Sequence, residues 1–391
     1  MTVNRSTFAE INLDSFRHNL HSIKSLIGPN VGTMAIIKAD AYGHGAVQCA
    51  RTAIKEQVDY IGVGIIQEGI QLRENGITSP ILILGGVYPN EIEDLIKYNL
   101  STSLSSSVIA NAISKKAAQV NKSVGVHIKI DTGMGRLGVQ PEAFLSLLNS
   151  VISYKNLKIE GVFTHLSSAD EEDPETTHHQ ISIFSNVLKE LHTTNFYKMI
   201  SKSDRILSHS ANTAGLLRFS EGRFDLVRPG ISLFGSFPSA PTASAFDVLA
   251  KENKITQLRP VMNWKTKIIQ IQTLRKGVPV SYGGRYVTKS EGARIATIPV
   301  GYADGLSRRL SNNMELLVKE TRVKQVGTIC MDMCLIDITN LPDVTMGEEV
   351  VIFGSQGKGH IKVEELATRA GTIPYEILCG IGKRVPRIYI S

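Results

Sequence analysis

Short β-rich runs recur along the first half of the chain, each followed by a stretch whose apolar positions fall at helical spacing. The runs are TMAIIK (33–38), YIGVGI (60–65), PILILG (80–85), NLSTSL (99–104), VGVHIKID (124–131), IEGVFTH (159–165), RILSHS (205–210) and FDLVRPGISLFG (224–235). Between them, SVIANAISKKAAQV (107–120) and PEAFLSLLNSVISY (141–154) read as amphipathic helices. In the second, Phe144, Leu147, Leu148, Val151 and Ile152 repeat with the period of one helix face. Strict alternation of strand and helix predicts parallel strands joined by helical crossovers. Eight such units in about 235 residues match a (β/α)8 barrel, which takes roughly 250. The competitor, a doubly wound open sheet, has fewer strands, and no G-x-G-x-x-G follows the first run.

After Phe237 the rhythm changes. PSAPTASAF reads as a Pro-, Ser- and Ala-rich join. Beyond it MNWKTKIIQIQTL, ARIATIPVGY, TRVKQVGTIC, CLIDITNL and EEVVIFG alternate as strands with short glycine-containing turns and little helix. The expected fold class is α/β: an N-terminal (β/α)8 barrel over residues 1–237, then a C-terminal mainly-β domain over 238–391.

Composition narrows the function classes. The chain is 42% hydrophobic and 20% charged, ordinary for a soluble globular protein. Its net charge of +7 is spread without a block of basic residues, which argues against a nucleic-acid partner. Cys49, Cys330, Cys334 and Cys379 form no CxxC pair, so neither a zinc site nor a disulfide framework is expected. The first residues carry no signal-peptide apolar core, and no run reaches the length of a membrane span. A soluble, cytoplasmic protein with no membrane partner is expected.

Candidate chemistry sits at the strand ends, where barrel enzymes carry it. MAIIKADAYGHG runs an apolar segment into Lys38. A buried ammonium is costly unless paired or neutral, so this lysine has either reached solvent or been placed to react. Asp131 closes the fifth run ahead of TGMGRLG with Arg136, His165 the sixth and His209 the seventh, and Arg228 lies within the eighth. Each alone has a structural explanation, as a turn residue, a loop hydrogen bond or half of an ion pair. Their coincidence on one rim favours chemistry. No metal-ligand set and no G-x-S-x-G elbow is present. A lysine among Tyr and Arg residues points instead to a Schiff base with a carbonyl partner.

These residues lie in a series of motifs that closely resembles the alanine racemase family over nearly the whole chain. In order they are IIKADAYGHG, KIDTGMGRLG, THLSSAD, SHSANTAG, VRPGISLFG, VSYGGRY, IPVGYADGLSRR, GTICMDMCLID and PYEILCGIGKRVPRIY. The resemblance implies a racemase interconverting L- and D-alanine with pyridoxal 5'-phosphate, supplying D-alanine for peptidoglycan. It implies that Lys38 carries the cofactor and that Tyr282 is the second base. Arg228 would face the pyridine nitrogen, His165 would lie beside the ring, and Tyr42, Asn212, Thr213, Gly230, Ile231 and Tyr375 would complete the cofactor site. Arg136 and the backbone of Met331 would hold the substrate carboxylate. Lys129 matches a lysine carbamylated in several relatives, and Asp170 and Tyr302 would line the substrate passage. Thr213 stands where the family commonly has Ser, and Thr328 where some relatives place an arginine.

The resemblance also implies a homodimer with shared active sites, in which Tyr282 and Met331 cross to the partner's barrel. On this reading Lys38 is buried so that it can be a neutral amine. Alternatives from the residues alone are a racemase of Ser, Lys or broad specificity, a decarboxylase of the same fold type, and a non-catalytic pyridoxal-phosphate-binding homeostasis protein. The decarboxylase would show a glycine-rich phosphate loop and a catalytic Cys motif, absent here. The homeostasis protein would lack the second domain.

Overall fold

The structure is a computed structural model that describes residues 5–199 and 205–391. Its first strand, β1 (Phe8–Asn12), lies outside the barrel. Among the described residues, eight parallel strands then form the barrel sheet. They are β2 (Gly32–Ile36), β3 (Tyr60–Val63), β4 (Ile81–Ile83), β5 (Ser101–Leu104), β6 (Val124–Lys129), β7 (Leu157–Phe163), β8 (Leu207–His209) and β9 (Leu226–Val227). The sheet runs β8-β7-β6-β5-β4-β3-β2-β9. Asp225 joins its two ends: its N–H donates to the Ser208 carbonyl at 3.0 Å, and its carboxylate accepts the Ser208 N–H at 2.8 Å. All eight sequence runs therefore become barrel strands. The eighth is the shortest, because after Val227 the chain turns into a 3-10 helix at Ile231–Phe234.

The strands read as apolar because both faces are covered: side chains fill the inside and helices cover the outside. Helix Ser107–Gln119 buries Ala110, Ile113, Ser114 and Ala117, and helix Phe144–Ile152 buries Phe144, Leu147, Leu148 and Val151. Ile152, expected on that stripe, ends its helix exposed. The PSAPTASAF join is also not a loop. Ser239 caps a helix over Ala240–Glu252, Pro241 sits in its first turn where no N–H is needed, and Phe246 and Ala250 are buried.

The C-terminal part forms a ten-stranded, mostly antiparallel sheet among the described residues. Strand β1 belongs to it, pairing antiparallel with Met262–Lys267 and parallel with Arg387–Ile390. The pattern at residues 8–12 does not by itself announce a strand, since its alternation is only five residues long. Among the described residues no helix is long and apolar enough to cross a membrane.

Two C-terminal elements reach back to the turn after Lys38. The Arg387 guanidinium donates to the carbonyls of Gly43 (2.9 Å), Gly382 (2.7 Å), Val385 (2.6 Å) and Ile381 (2.6 Å). Gly43 and Gly45 have φ of 80° and 96°, and a Cβ on either would collide, with the Leu378 carbonyl and the Tyr389 hydroxyl respectively. Gly76 has a similar φ of 82° but open space around it. Gly45→Ala is therefore expected to lower stability by about 1–3 kcal/mol more than Gly76→Ala, read as the difference in urea unfolding free energy. Equal losses would mean that the Tyr389 contact is slack.

Candidate active site

Strand β2 ends at Ile36, two residues before the lysine, and the chain then does something rare for L-residues. Ala39, Asp40, Ala41 and Tyr42 have φ of 52°, 53°, 55° and 52°, a left-handed helical turn without a glycine. Such residues cost about 1–2 kcal/mol each in that conformation, so their surroundings must over-determine it. Within the turn, Ala41 N–H donates to the Ile37 carbonyl and Gly43 N–H to the Ala39 carbonyl, each at 2.9 Å. Asp40 Oδ1 accepts the Ala46 N–H at 2.7 Å, and Glu68 Oε1 accepts the Ala39 N–H at 2.6 Å. His44 Nδ1 donates to the carbonyls of Ala41 (2.9 Å) and Tyr42 (3.0 Å).

Lys38 is not sealed off, contrary to the expectation of burial; in the single chain it is accessible from the barrel mouth. The strand ends before it and the turn lifts it onto the rim. The surrounding walls still desolvate its amine, and the nearby Arg136 and Arg228 act in the same direction. Together they lower its pKa from the ordinary lysine value, with Glu68 and Cys379 opposing. Burial of the amine by the rim walls is thus the larger effect, and the cationic neighbourhood adds to it.

Beside the lysine, hydroxyl and amide donors converge. The Tyr42 hydroxyl lies so close to Gly230 that a Cβ there would strike it. The Tyr42 and Tyr375 rings are 5.7 Å apart, and burial raises both phenol pKa values, so both stay protonated donors. Thr213 Oγ1 accepts the Gly230 N–H at 3.0 Å and lies 3.2 Å from Ser232 Oγ. Ile231 opens the 3-10 helix, where the first N–H groups have no intrahelical acceptor. Asn212 caps the helix Thr213–Arg218, its side chain accepting the Gly215 N–H at 2.9 Å.

Arg228 is buried with no carboxylate partner among the described residues. Its Nη atoms donate to His209 Nδ1 (2.8 Å) and to the carbonyls of Thr164 (2.8 Å) and Ser210 (2.7 Å), with His165 Nδ1 at 3.3 Å. Its Nε–H takes part in none of these bonds. The donation to His209 Nδ1 fixes a chain of tautomers: the His209 proton sits on Nε2, which donates to His127 Nδ1 at 2.9 Å. The His127 proton is therefore on Nε2, which is buried without a partner, Glu160 Oε2 standing 3.8 Å away. Burial and the Arg228 charge hold His127, His165 and His209 below the ordinary histidine range, so all three are neutral at pH 7.

On the same rim, Lys129 Nζ lies 5.3 Å from the Phe163 ring centre. Burial, Arg228 and Arg136 push its pKa down to about 8, with Asp131 opposing. Asp131 is a turn residue: its Oδ1 accepts the N–H of Gly133 (3.1 Å) and Gly135 (3.0 Å), shaping the loop that presents Arg136 to solvent. Asp170 sits near Tyr375, and its carbonyl accepts from Ser239 Oγ at 2.6 Å.

The remaining sequence candidates form a second cluster, on the C-terminal part. Tyr282 is 74% exposed, Met331 53% and Tyr302 43%. Tyr302 N–H donates to the Cys330 carbonyl, and Thr328 Oγ1 donates to the Tyr282 carbonyl at 2.8 Å. Ser281, with φ of 64°, donates from Oγ to the Thr328 carbonyl at 2.6 Å. The charges acting on Lys38 come from Arg136, Glu68, Cys379 and Arg228, and Tyr282 is not among them. Among the described residues no hydrogen bond joins Tyr282, Met331 or Tyr302 to Lys38, Arg136 or Arg228.

Sequence reasoning missed Glu68, Ser232, His127 and the neighbourly Cys379. Glu68 carried a signal: a glutamate three residues after a strand–helix junction is where a carboxylate reaches back to free N–H groups. His127 carried none, since an inward-facing strand residue looks like core.

A phosphate group suits the cradle, because its protonated hydroxyls and N–H groups are donors. A carbonyl suits the Lys38 amine, and an aromatic nitrogen suits the spare Arg228 Nε–H. The donor set thus fits pyridoxal 5'-phosphate. Comparison with known proteins gives the family. Residues 11–238 match the family model "alanine racemase, N-terminal domain" and residues 261–389 "alanine racemase, C-terminal domain". The alanine racemase of Halothermothrix orenii is 41% identical over 387 residues, covering 99% of this chain and 97% of that one. Among solved structures, alanine racemase from Clostridium difficile 630 matches with a TM-score of 0.89 and 38% identity, covering 100% of this chain and 97% of that one. The Bacillus anthracis alanine racemase with bound L-Ala-P matches with a TM-score of 0.88 and 33% identity, covering 100% and 96%.

The buried neutral histidines give the fold a pH signature. Burial lowers the His44 pKa from 6.5 to about 4, despite its bonds to the Tyr42 and Ala41 carbonyls. Below pH 6.5 the unfolded chain binds a proton that the folded chain refuses until about pH 4, so stability falls as pH drops through that window. In His44→Asn, the slope of unfolding free energy against pH in this window is expected to be shallower by about 1.4 kcal/mol per pH unit. An unchanged slope would show that His44 is protonated in the folded state.

Proposed function

The chain belongs to the alanine racemase family and is an isomerase, and from that premise we propose how this fold carries out alanine racemisation: with pyridoxal 5'-phosphate held on Lys38, and with Lys38 and Tyr282 as its two bases. The observation that carries the reading is the barrel rim. It sets an amine of lowered pKa, a cradle of hydroxyl and amide donors, and a buried guanidinium with a spare N–H side by side.

When bound, the cofactor withdraws the electron pair left on the substrate Cα, which makes that proton removable. Tyr42, Tyr375, Thr213, Ser232 and the Gly230–Ile231 backbone would hold its phosphate. Arg228 would donate to its ring nitrogen. A guanidinium keeps its proton, so this bond tempers electron withdrawal and favours racemisation over transamination. The two bases stand on opposite faces: the Lys38 amine moves a proton at one face and the Tyr282 hydroxyl at the other. Arg136 and the Met331 N–H would hold the substrate carboxylate. Lys129, with a pKa near that of a reactive amine, would take up carbon dioxide, its nitrogen losing a proton as the N–C bond forms. The resulting negative charge would steady Arg136.

Because Tyr282 and Met331 sit exposed and share no hydrogen bond with the barrel candidates among the described residues, on this reading the complete site lies in a homodimer. Tyr282 and Met331 of the partner subunit would then close each barrel, and Tyr302 would meet Asp170 there to form the substrate passage. Tyr282, Met331, Met333 and Tyr302 are exposed apolar side chains that such an interface would cover. Family membership supports the remaining part of the reading, a cytoplasmic enzyme whose D-alanine feeds peptidoglycan synthesis.

Lys38→Ala and Tyr282→Phe are each expected to lose about a hundredfold or more of racemase activity. Mixed and allowed to exchange subunits, they should regain activity, with intact sites approaching about one quarter of the parental number because half of random dimers are mixed and each holds one intact site. Mixed dimers seen by mass spectrometry without any recovered activity would refute shared sites.

A second test concerns the Ser281–Thr328 clasp behind Tyr282. In Thr328→Val, kcat/KM is expected to fall about tenfold. It must fall equally for both enantiomers, since L- and D-alanine are equal in energy. The Cα-deuterium isotope effect, however, should rise for the enantiomer whose proton Tyr282 removes and not for the other. An equal rise for both would show that the clasp does not act through Tyr282.

A further inference from the structure

Glu68 lies on the barrel, third in the helix Ile66–Glu74 that follows β3, and its carboxylate gathers three backbone N–H groups. Oε2 accepts from Gly64 (2.7 Å) and Ile65 (3.3 Å), the ordinary reach of a glutamate at this helix position. Oε1 does something else: it crosses to the neighbouring β2 segment and accepts the Ala39 N–H at 2.6 Å. Ala39 is the first of the four left-handed residues, directly after Lys38, so its N–H is where the strained turn begins. Gly64 completes the joint. A Cβ on it would stand 3.3 Å from Glu68 Oε2, and 3.5 and 3.9 Å from Lys38 Cβ and Cδ. The lysine stem, the bare Gly64 backbone and the carboxylate are therefore in mutual reach.

We propose that Glu68 is a positioning residue for Lys38: one carboxylate bolts the ends of β2 and β3 together, holds the left-handed turn at its first residue, and so fixes the direction in which the lysine leaves the rim. The proposal rests on the reading of Lys38 as the reactive amine. Three donors and no acceptor converge on the site, which is why a carboxylate is required. A glutamine would offer one acceptor oxygen and turn an NH2 group toward N–H groups. The same carboxylate supplies negative charge beside the lysine. The other groups facing the Lys38 amine are Arg136, Arg228, Lys129, His165 and Cys379, none of them a carboxylate. Glu68 therefore opposes the arginines and keeps the amine from being neutralised too far.

The test uses the full chain as Glu68→Gln and Glu68→Ala, with surface Glu93→Gln as control. Backbone amide exchange over residues 38–45 is expected to quicken about 10- to 100-fold in both Glu68 variants, the loss of a charge-assisted hydrogen bond, with peptides from 349–356 unchanged. The pH at which the cofactor-free chain begins to attach pyridoxal 5'-phosphate, followed by absorbance, should move lower in Glu68→Gln, because the lysine amine loses its stabilising anion. Unchanged exchange over 38–45 in Glu68→Gln, or faster exchange throughout the chain, would overturn a positioning role. An unmoved pH profile would overturn the electrostatic part. Lys38→Ala is run alongside: if that variant still attaches the cofactor covalently, the reading of Lys38 fails, whatever the Glu68 variants show.

Discussion

The left-handed turn over residues 39–42 is the constraint on which the site depends. Four consecutive L-residues at positive φ do not hold themselves, and the groups that hold them come from three parts of the fold. Glu68 grips the first residue from the β3 side, and Asp40 ties the turn to the helix Ala46–Lys55 that follows it. Arg387, on the last strand of the C-terminal sheet, holds the Gly43 carbonyl, while Leu378 and Tyr389 abut the glycines from the same side. The barrel alone does not explain the turn. The C-terminal sheet, with β1 threaded through it, is part of what places Lys38.

Electrostatics gives the rim its second property. Lys38, Lys129, Arg136 and Arg228 crowd one barrel mouth, and the carboxylates among them, Glu68 and Asp131, are spent on backbone N–H groups. The histidines that could add charge are kept neutral by burial, and the Arg228–His209–His127 chain spends their lone pairs on one another. Positive charge without matching anions destabilises the empty fold and is relieved by whatever anion arrives. A phosphate and a carboxylate are both such anions, so binding and folding reinforce each other at this mouth.

Much of this was legible in the sequence, for identifiable reasons. Most barrel strands announced themselves as apolar runs because parallel strands are covered on both faces, and STSL and LSH followed from the strand–helix alternation. Arg228 stood out because a polar residue within such a run is conspicuous, whereas Tyr42 and Thr213 were implied as cofactor ligands by the motifs that resemble the family. What escaped was non-local or conformational. No periodicity in FAEIN shows that β1 leaves the barrel to pair with residues 262–267 and 387–390. ADAY carries no glycine, so nothing local marks it as left-handed. Lys38 was expected to be buried because strand composition cannot tell a last buried residue from one lifted two residues beyond the strand. PSAPTASAF looked like a linker by composition, yet its Ser and Pro are the start signals of a helix.

The two proposed bases are mounted alike, which composition could not have suggested. Lys38 precedes a left-handed turn, and Tyr282 follows Ser281 at φ of 64°; each mount is fastened by a side chain reaching backbone, Glu68 on one side and Thr328 with Ser281 on the other. An ordinary strand or helix residue inherits its direction from a repeating backbone, and a one-residue slip leaves a near-equivalent position available. A residue beside a positive-φ segment has no such neighbour to slip to. For a proton-transferring group that must address one face of a small Cα centre, this lack of alternatives is useful, since a misplacement of about 1 Å can cost a hundredfold in rate. The strain is then the means by which two flexible side chains are given single directions.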